Sequence, residues 1–149
     1  MRKAAVIFAT CFGAGYAPLA PGTAGAAVGL IPVFLLARWP FLYCAATAVL
    51  FFAGVASSSV AEEEFGEKDS PRIVIDEAVS MLITFAGMPL TGFAVAGGFV
   101  LNRLLDIFKP FPAGRLQKLG GGWGVMLDDL ASAIYSNIFL RITIALFFK

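Results

Sequence analysis

Histidine does not occur anywhere in this 149-residue chain, and its absence removes several kinds of chemistry at once. There can be no His general base, no phosphohistidine intermediate, no Ser-His-Asp triad and no zinc–imidazole site. Charge is scarce too: 14% of residues are charged against 59% hydrophobic, and mean hydropathy is +0.85. An ordinary soluble domain needs more charged surface than this. A formal net charge of +1 gives no field to recruit nucleic acid, and no nucleic-acid motif is present. The two cysteines, Cys11 and Cys44, stand in apolar stretches without metal-ligand spacing and read as reduced core or lipid-facing residues. A GK[ST] phosphate loop, a DxDxT nucleophile motif and a Cys-x5-Arg phosphatase loop are all missing; Ala17 stands where the last would need its Arg after Cys11.

What the chain has instead is apolar length. Stretches at 24–37, 41–59, 73–87, 92–108 and 127–148 read as helices by length and apolarity, several of them short of the ~20 residues that span a bilayer comfortably. Pro89, between Gly87 and Gly92, either kinks one long helix or turns a hairpin. Charge bias favours the hairpin. Arg103, Lys109, Arg115 and Lys118 share one connection and Arg2 and Lys3 begin the chain; only five crossings put both groups on the cytoplasmic side. The expected fold is therefore all-α: one compact integral-membrane bundle over residues 1–149, with about five short hydrophobic helices. Five crossings also bring 13–25, 62–77 and 103–129, which hold nearly all the charge, to one face. There is no repeat, low-complexity tract or dividing linker. The N-terminus, MRKAAVIFATCFGAGYA, has the basic start and short apolar core of a signal peptide.

Four pieces of sequence carry chemistry. In AGYAPLAPGTAG, residues 14–25, Pro21-Gly22-Thr23 reads as a turn with Thr23 near a helix N-cap, either simply capping or helping to form an anion pocket. Asp76 and Glu77 enter an apolar helix, where acids can complement the dipole or serve a site; the acids from Glu62 to Asp69, mixed with Lys68, read as a solvated helix end. Arg103, Asp106 and Lys109 recur every three residues and share a face until Pro110, as a salt-bridge ladder or as a functional group. Asp128 and Asp129 follow GGGWG at the start of the last helix, as caps or as ligands. Together these offer five carboxylates (Asp76, Glu77, Asp106, Asp128, Asp129), two cations and a hydroxyl. Carboxylates without His or thiolate select hard ions, Mg²⁺ first, and Mg²⁺ usually shares a phosphate.

With these residues in hand, the sequence resembles the phosphatidylglycerophosphatase A family, Mg²⁺-dependent membrane enzymes that remove the terminal phosphate of phosphatidylglycerophosphate. The resemblance runs from Gly13 to about Tyr135 and rests on PxAPGTxG at 18–25, DE at 76–77, RxxDxxKPxP at 103–112 and GGxGxMxDD at 121–129. It departs from the family pattern at Ala26, often Ser; at Ser80, usually Gly; at Gly120, commonly His; and near Gln117, where an acid is common. Cleavage near Ala17 would expose or remove the first motif, so retention of the N-terminus as an interfacial or partly inserted helix is expected.

The resemblance implies hydrolysis of a phosphomonoester on an anionic phospholipid, at the cytoplasmic side of a bacterial-type inner membrane. Asp76, Glu77, Asp106, Asp128 and Asp129 are the expected catalytic set. Glu77, Asp106 and Asp129 would hold Mg²⁺, with Asp76 and Asp128 in support, while Thr23, Arg103 and Lys109 would meet the phosphate. A small ion or solute transporter, a silent scaffold, or a phosphatase for another phosphomonoester are the competing readings.

Overall fold

The computed structural model describes residues 2–147. Among these the chain is all-α, with no strand: α1 (Arg2–Ala9), a 3-10 turn (Ala14–Tyr16), α2 (Pro21–Leu36), α3 (Pro40–Phe65), α4 (Ile75–Thr84), α5 (Gly92–Phe108), α6 (Ala113–Leu116) and α7 (Gly122–Phe147). Local chemistry sets most of these boundaries. Pro21 and Pro40 occupy the first helical positions of α2 and α3, where a missing N–H costs nothing. Gly66 ends α3 in the left-handed conformation at φ 64°, its amide donating to the Glu62 carbonyl. Thr91 caps α5 by accepting from the Ala94 amide at 3.3 Å. Pro89 therefore lies in a hairpin between two helices, not in a kink.

The short helix α4 is the axis of the bundle: α2, α3, α5 and α7 all pack against it. Nearly every α4 side chain is buried, and two apolar clusters stack along it. One, around Val55, Ile75, Val79 and Met126, lies toward its start; the other, around Val33, Met81, Leu82, Phe85 and Leu140, lies toward its end. Gly29 lets α2 approach closely, since a Cβ there would fall 2.3 Å from the Ala78 carbonyl oxygen.

α4 stops after ten residues, a length of ~15 Å, and its last carbonyls are taken up by side chains from two other helices. The Tyr43 hydroxyl donates to Leu82 O at 2.6 Å. Asn137 Nδ2 lies within hydrogen-bonding range of Ile83 O, Thr84 O and Ala86 O, at 3.3, 2.8 and 3.1 Å. Arg141 adds a bond from Nη2 to Ala86 O at 2.7 Å, a cation at the negative end of the helix dipole. Replacing Asn137 by Leu should therefore cost about 2–4 kcal/mol, since it strands buried carbonyls; denaturant unfolding in detergent is the check, and an unchanged midpoint would show that the cap is dispensable.

Two helices, α3 and α7, are long and apolar enough to cross a membrane by length and composition; α2 is apolar but has only 16 residues. Of the five short apolar segments expected from the sequence, only these two reach spanning length among the described residues. α1 lies along α3, with Arg2 3.4 Å from Glu63 and 4.0 Å from Glu64. The segment after it enters the core: Ala9 accepts from the Val74 amide at 2.9 Å, and Cys11 is buried.

Candidate active site

One end of the bundle gathers the starts of α2, α4 and α7 and the ends of α3 and α5. Asp76 and Glu77 occupy the first turn of α4 behind Val74, which provides no side-chain cap. α7 begins at Gly122, so Asp128 and Asp129 stand in its second turn. This corrects the reading of the pair as the start of the helix, and removes the capping role that came with it. One carboxylate oxygen from each of Asp76, Glu77 and Asp129 lies within 4.8 Å of the others.

These acids are out of water. Asp76 is 7% exposed and Asp129 3%, and the Glu77 side chain 13%. Asp76 Oδ1, Glu77 Oε2 and Asp129 Oδ2 are buried with no hydrogen-bond partner. A buried anionic oxygen without a partner costs several kcal/mol unless a cation meets it.

One of the two cations touches this group and the other is engaged outside it. Arg103 Nη1 lies 3.1 Å from Asp106 Oδ2 and 3.8 Å from Glu77 Oε1. Asp106, expected to be a metal ligand, pairs with Arg103 and also lies against Asp129, while Asp76 joins Glu77 and Asp129 in the close group. Lys109 does not continue the Arg103–Asp106 face. It caps α5 in the left-handed region at φ 43°, and its ammonium makes a hydrogen-bonded ion pair with Asp128. Burial opposes that charge, but the hydrogen bond and the field of Asp128 outweigh it and hold the Lys109 pKa above the ordinary lysine value. Five carboxylates thus face two cations, and the excess negative charge lies with the Asp76–Glu77–Asp129 group.

The start of α2 meets this group through backbone. Its N-cap is Ala20, in the left-handed region at φ 49°, and Thr23 stands exposed inside the helix; the expected capping by Thr23 does not occur. The nearest point is Gly22, where a Cβ would lie 2.3 Å from Glu77 Oε1 and 2.7 Å from Arg103 Nη2. Cys11 is not part of this chemistry. Burial and the charge of Glu77 push its thiol up to about 12, and it donates to Val74 O at 3.5 Å.

Several contacts around the site escape sequence reasoning. Gln117 donates to Asp69 Oδ2 at 2.5 Å, and the Asp69 amide donates to Glu62 Oε1 at 2.7 Å. Glu62 and Asp69, read as part of a solvated helix end, therefore clasp the loop before α7. Tyr135 donates to Phe111 O at 2.8 Å, steadying the same loop two residues beyond Lys109. Nothing in the sequence marks these residues beyond the polarity of Gln117 and the place of Tyr135 one helix turn beyond Ser132, which itself donates to Leu105 O.

The sequence profile of phosphatidylglycerophosphatase A matches residues 7–144, a span that includes every residue of this site. The chain belongs to the phosphatidylglycerophosphatase A family. Its relatives include the phosphatidylglycerophosphatase A of Escherichia coli K12, 32% identical over 133 residues that cover 87% of this chain and 77% of that protein. The phosphatidylglycerophosphatase A of Haemophilus influenzae is 36% identical over 138 residues, 89% of this chain and 83% of that one. A Bacteroides thetaiotaomicron protein, provisionally named a phosphatidylinositol-3-phosphatase, is 38% identical over 146 residues, 92% of this chain and 91% of its own. No solved structure matches the chain.

Proposed function

We propose that this member of the phosphatidylglycerophosphatase A family is a Mg²⁺-dependent phosphatase that hydrolyses the terminal phosphomonoester of phosphatidylglycerophosphate to phosphatidylglycerol and phosphate. It would do so as a five-crossing protein of the inner membrane, with its site on the cytoplasmic side. The observation that carries the reading is the group of buried, partnerless carboxylate oxygens on Asp76, Glu77 and Asp129. All three donors are hard oxygens, a set that suits Mg²⁺. When bound, Mg²⁺ would supply Lewis acidity toward a phosphoryl oxygen and offset the surplus negative charge.

The chain's own residues supply the rest. Arg103, anchored between Glu77 and Asp106, would meet the phosphate, with Gly22 beside it at the α2 N-terminus and the exposed Thr23 hydroxyl next in sequence as a further contact. Lys109 keeps its proton, so it would stabilise developing charge and not act as the acid. Water would attack phosphorus as the ester bond breaks; a carboxylate of the cluster would take the water's proton and pass it to the departing glycerol oxygen, which leaves as the alcohol. Asp128, paired with Lys109, supports the cluster without joining it.

A transporter reading is less well supported, because it calls for acids along a path at mid-membrane depth, and these acids share one end of the bundle. The test is phosphate release from phosphatidylglycerophosphate in detergent, with phosphatidylinositol 3-phosphate run alongside because of the Bacteroides relative. Release should require Mg²⁺ and stop in EDTA. Full activity in EDTA would refute the metal reading, release from the inositol lipid alone would refute the substrate, and no release from either lipid would refute the phosphatase reading.

A further inference from the structure

Large apolar side chains are exposed on both sides of the site, on segments that are not bilayer-length helices. On one side, residues 10–20 present Phe12 at 80%, Tyr16 at 56% and Leu19 at 86% exposure. Cys11, Phe12 and Ala20 hold the left-handed region there, with φ of 47°, 55° and 49°, a conformation that costs energy in non-glycine residues. On the other side, Ile107, Phe108 and Phe111 are 69%, 77% and 69% exposed around the α5 terminus. Spending backbone strain to display apolar side chains to water is a double loss; displaying them to lipid is not.

Polar groups stand directly behind each of these edges. Leu19 leads into the Gly22 amide and Thr23 hydroxyl, neither of which has a partner within the described chain. Lys109, between Phe108 and Phe111, turns inward to Asp128. α2 and α5 both pack on α4 and have little direct contact with each other; where their ends come close, Gly22 faces Arg103, whose buried Nε donates to nothing. Apolar outside, with the Gly22 amide and the Arg103 cation inside, is complementary to a phospholipid lying in a leaflet, with its tails outward and its headgroup phosphate inward.

We propose that segment 12–19 and the α5 terminus form two lipid-immersed lips, and that an anionic phospholipid brings its headgroup sideways between them to the carboxylate site. This rests on the phosphatase reading and goes beyond it by fixing the route of the substrate. The experiment compares phosphatidylglycerophosphate with long acyl chains in liposomes, using reconstituted protein, against a dihexanoyl analogue dissolved as monomers. Leu19→Ser/Phe108→Ser is expected to lose about tenfold or more in kcat/KM on the liposomes, from the lost apolar immersion, and to stay within about twofold of native on the soluble analogue. Phe41→Ser, at the far end and 94% exposed, should leave the ratio of the two activities unchanged. Equal loss on both substrates, no loss on liposomes, or the same ratio change in Phe41→Ser would overturn the lips. A native chain that hydrolyses neither substrate would refute the phosphatase reading beneath them.

Discussion

Gly22→Ala should remove activity while leaving the fold in place, and Gly29→Ala should do the reverse of sparing the fold. The contrast comes from what each new methyl group meets. At Gly22 it would fall 2.3 Å from Glu77 Oε1 and 2.7 Å from Arg103 Nη2. Both are the far ends of flexible side chains, so the protein can yield by swinging them aside at a cost of about 1 kcal/mol or less. Those ends are the groups that would hold the cation and the phosphate, and a displacement of about 1 Å at reacting groups can cost 10²-fold in rate. At Gly29 the methyl would meet the Ala78 carbonyl oxygen at 2.3 Å and Ala78 Cα at 2.7 Å. Backbone in the central helix cannot step aside, and overpacking there should cost about 1–3 kcal/mol or more. Phosphate release and thermal unfolding, measured on both variants, separate the two effects. Gly22→Ala at more than half the native rate would show that Glu77 and Arg103 are not used as placed here.

The division of the chain into helices was legible because apolar runs and their breaks are local facts. Pro21, Pro40, Gly66 and Thr91 mark four boundaries through backbone rules that operate within a few residues. The gathering of charge at one end was legible too, through the bookkeeping of five segments. What the sequence could not convey was how the charged groups divide among themselves. Arg103, Asp106 and Lys109 have the spacing of a helical ladder, yet Lys109 leaves the helix and pairs with Asp128, because the turn before Pro110 bends the chain away. Asp106 and Asp76 are the same residue type in the same kind of apolar helix, and the position of Arg103 decides that Asp106 meets a cation while Asp76 Oδ1 is left without a partner. Thr23 looked like a cap because hydroxyls often are; Pro21 started the helix earlier and left it exposed. The length of α4 was also hidden, since its end depends on Asn137 and Arg141 more than fifty residues away in the chain.

Asp129→Asn and Asp128→Asn should change stability in opposite directions, although the two residues are neighbours and each is 3% exposed. Asp129 belongs to the group whose carboxylate oxygens lie within 4.8 Å, and its Oδ2 has no partner. Without a cation that cluster repels itself, and replacing one carboxylate by a neutral amide relieves the repulsion, as removing strained functional charge often does. In EDTA, Asp129→Asn should therefore unfold at a higher temperature than the native chain. Native protein should gain stability with Mg²⁺ as the site fills, by about 2.7 kcal/mol at a hundredfold excess over the dissociation constant. Asp129→Asn should lose most of that gain, and its phosphate release should fall by about 10³-fold if metal and phosphate charge are stabilised there. Asp128 stands in the other situation, since its charge is met by Lys109. Removing it leaves a half-buried ammonium facing an amide. Because the Lys109 side chain is 27% exposed, solvent blunts the loss to about 1–3 kcal/mol, below that of a fully buried pair. Asp128→Asn should accordingly melt earlier in EDTA yet keep a Mg²⁺-dependent rise. Melting curves of the three proteins in detergent, with and without the ion, decide the matter without reference to turnover. An Asp129→Asn variant that is less stable than native in EDTA, or that keeps the full Mg²⁺ response, would place the cation somewhere other than among Asp76, Glu77 and Asp129.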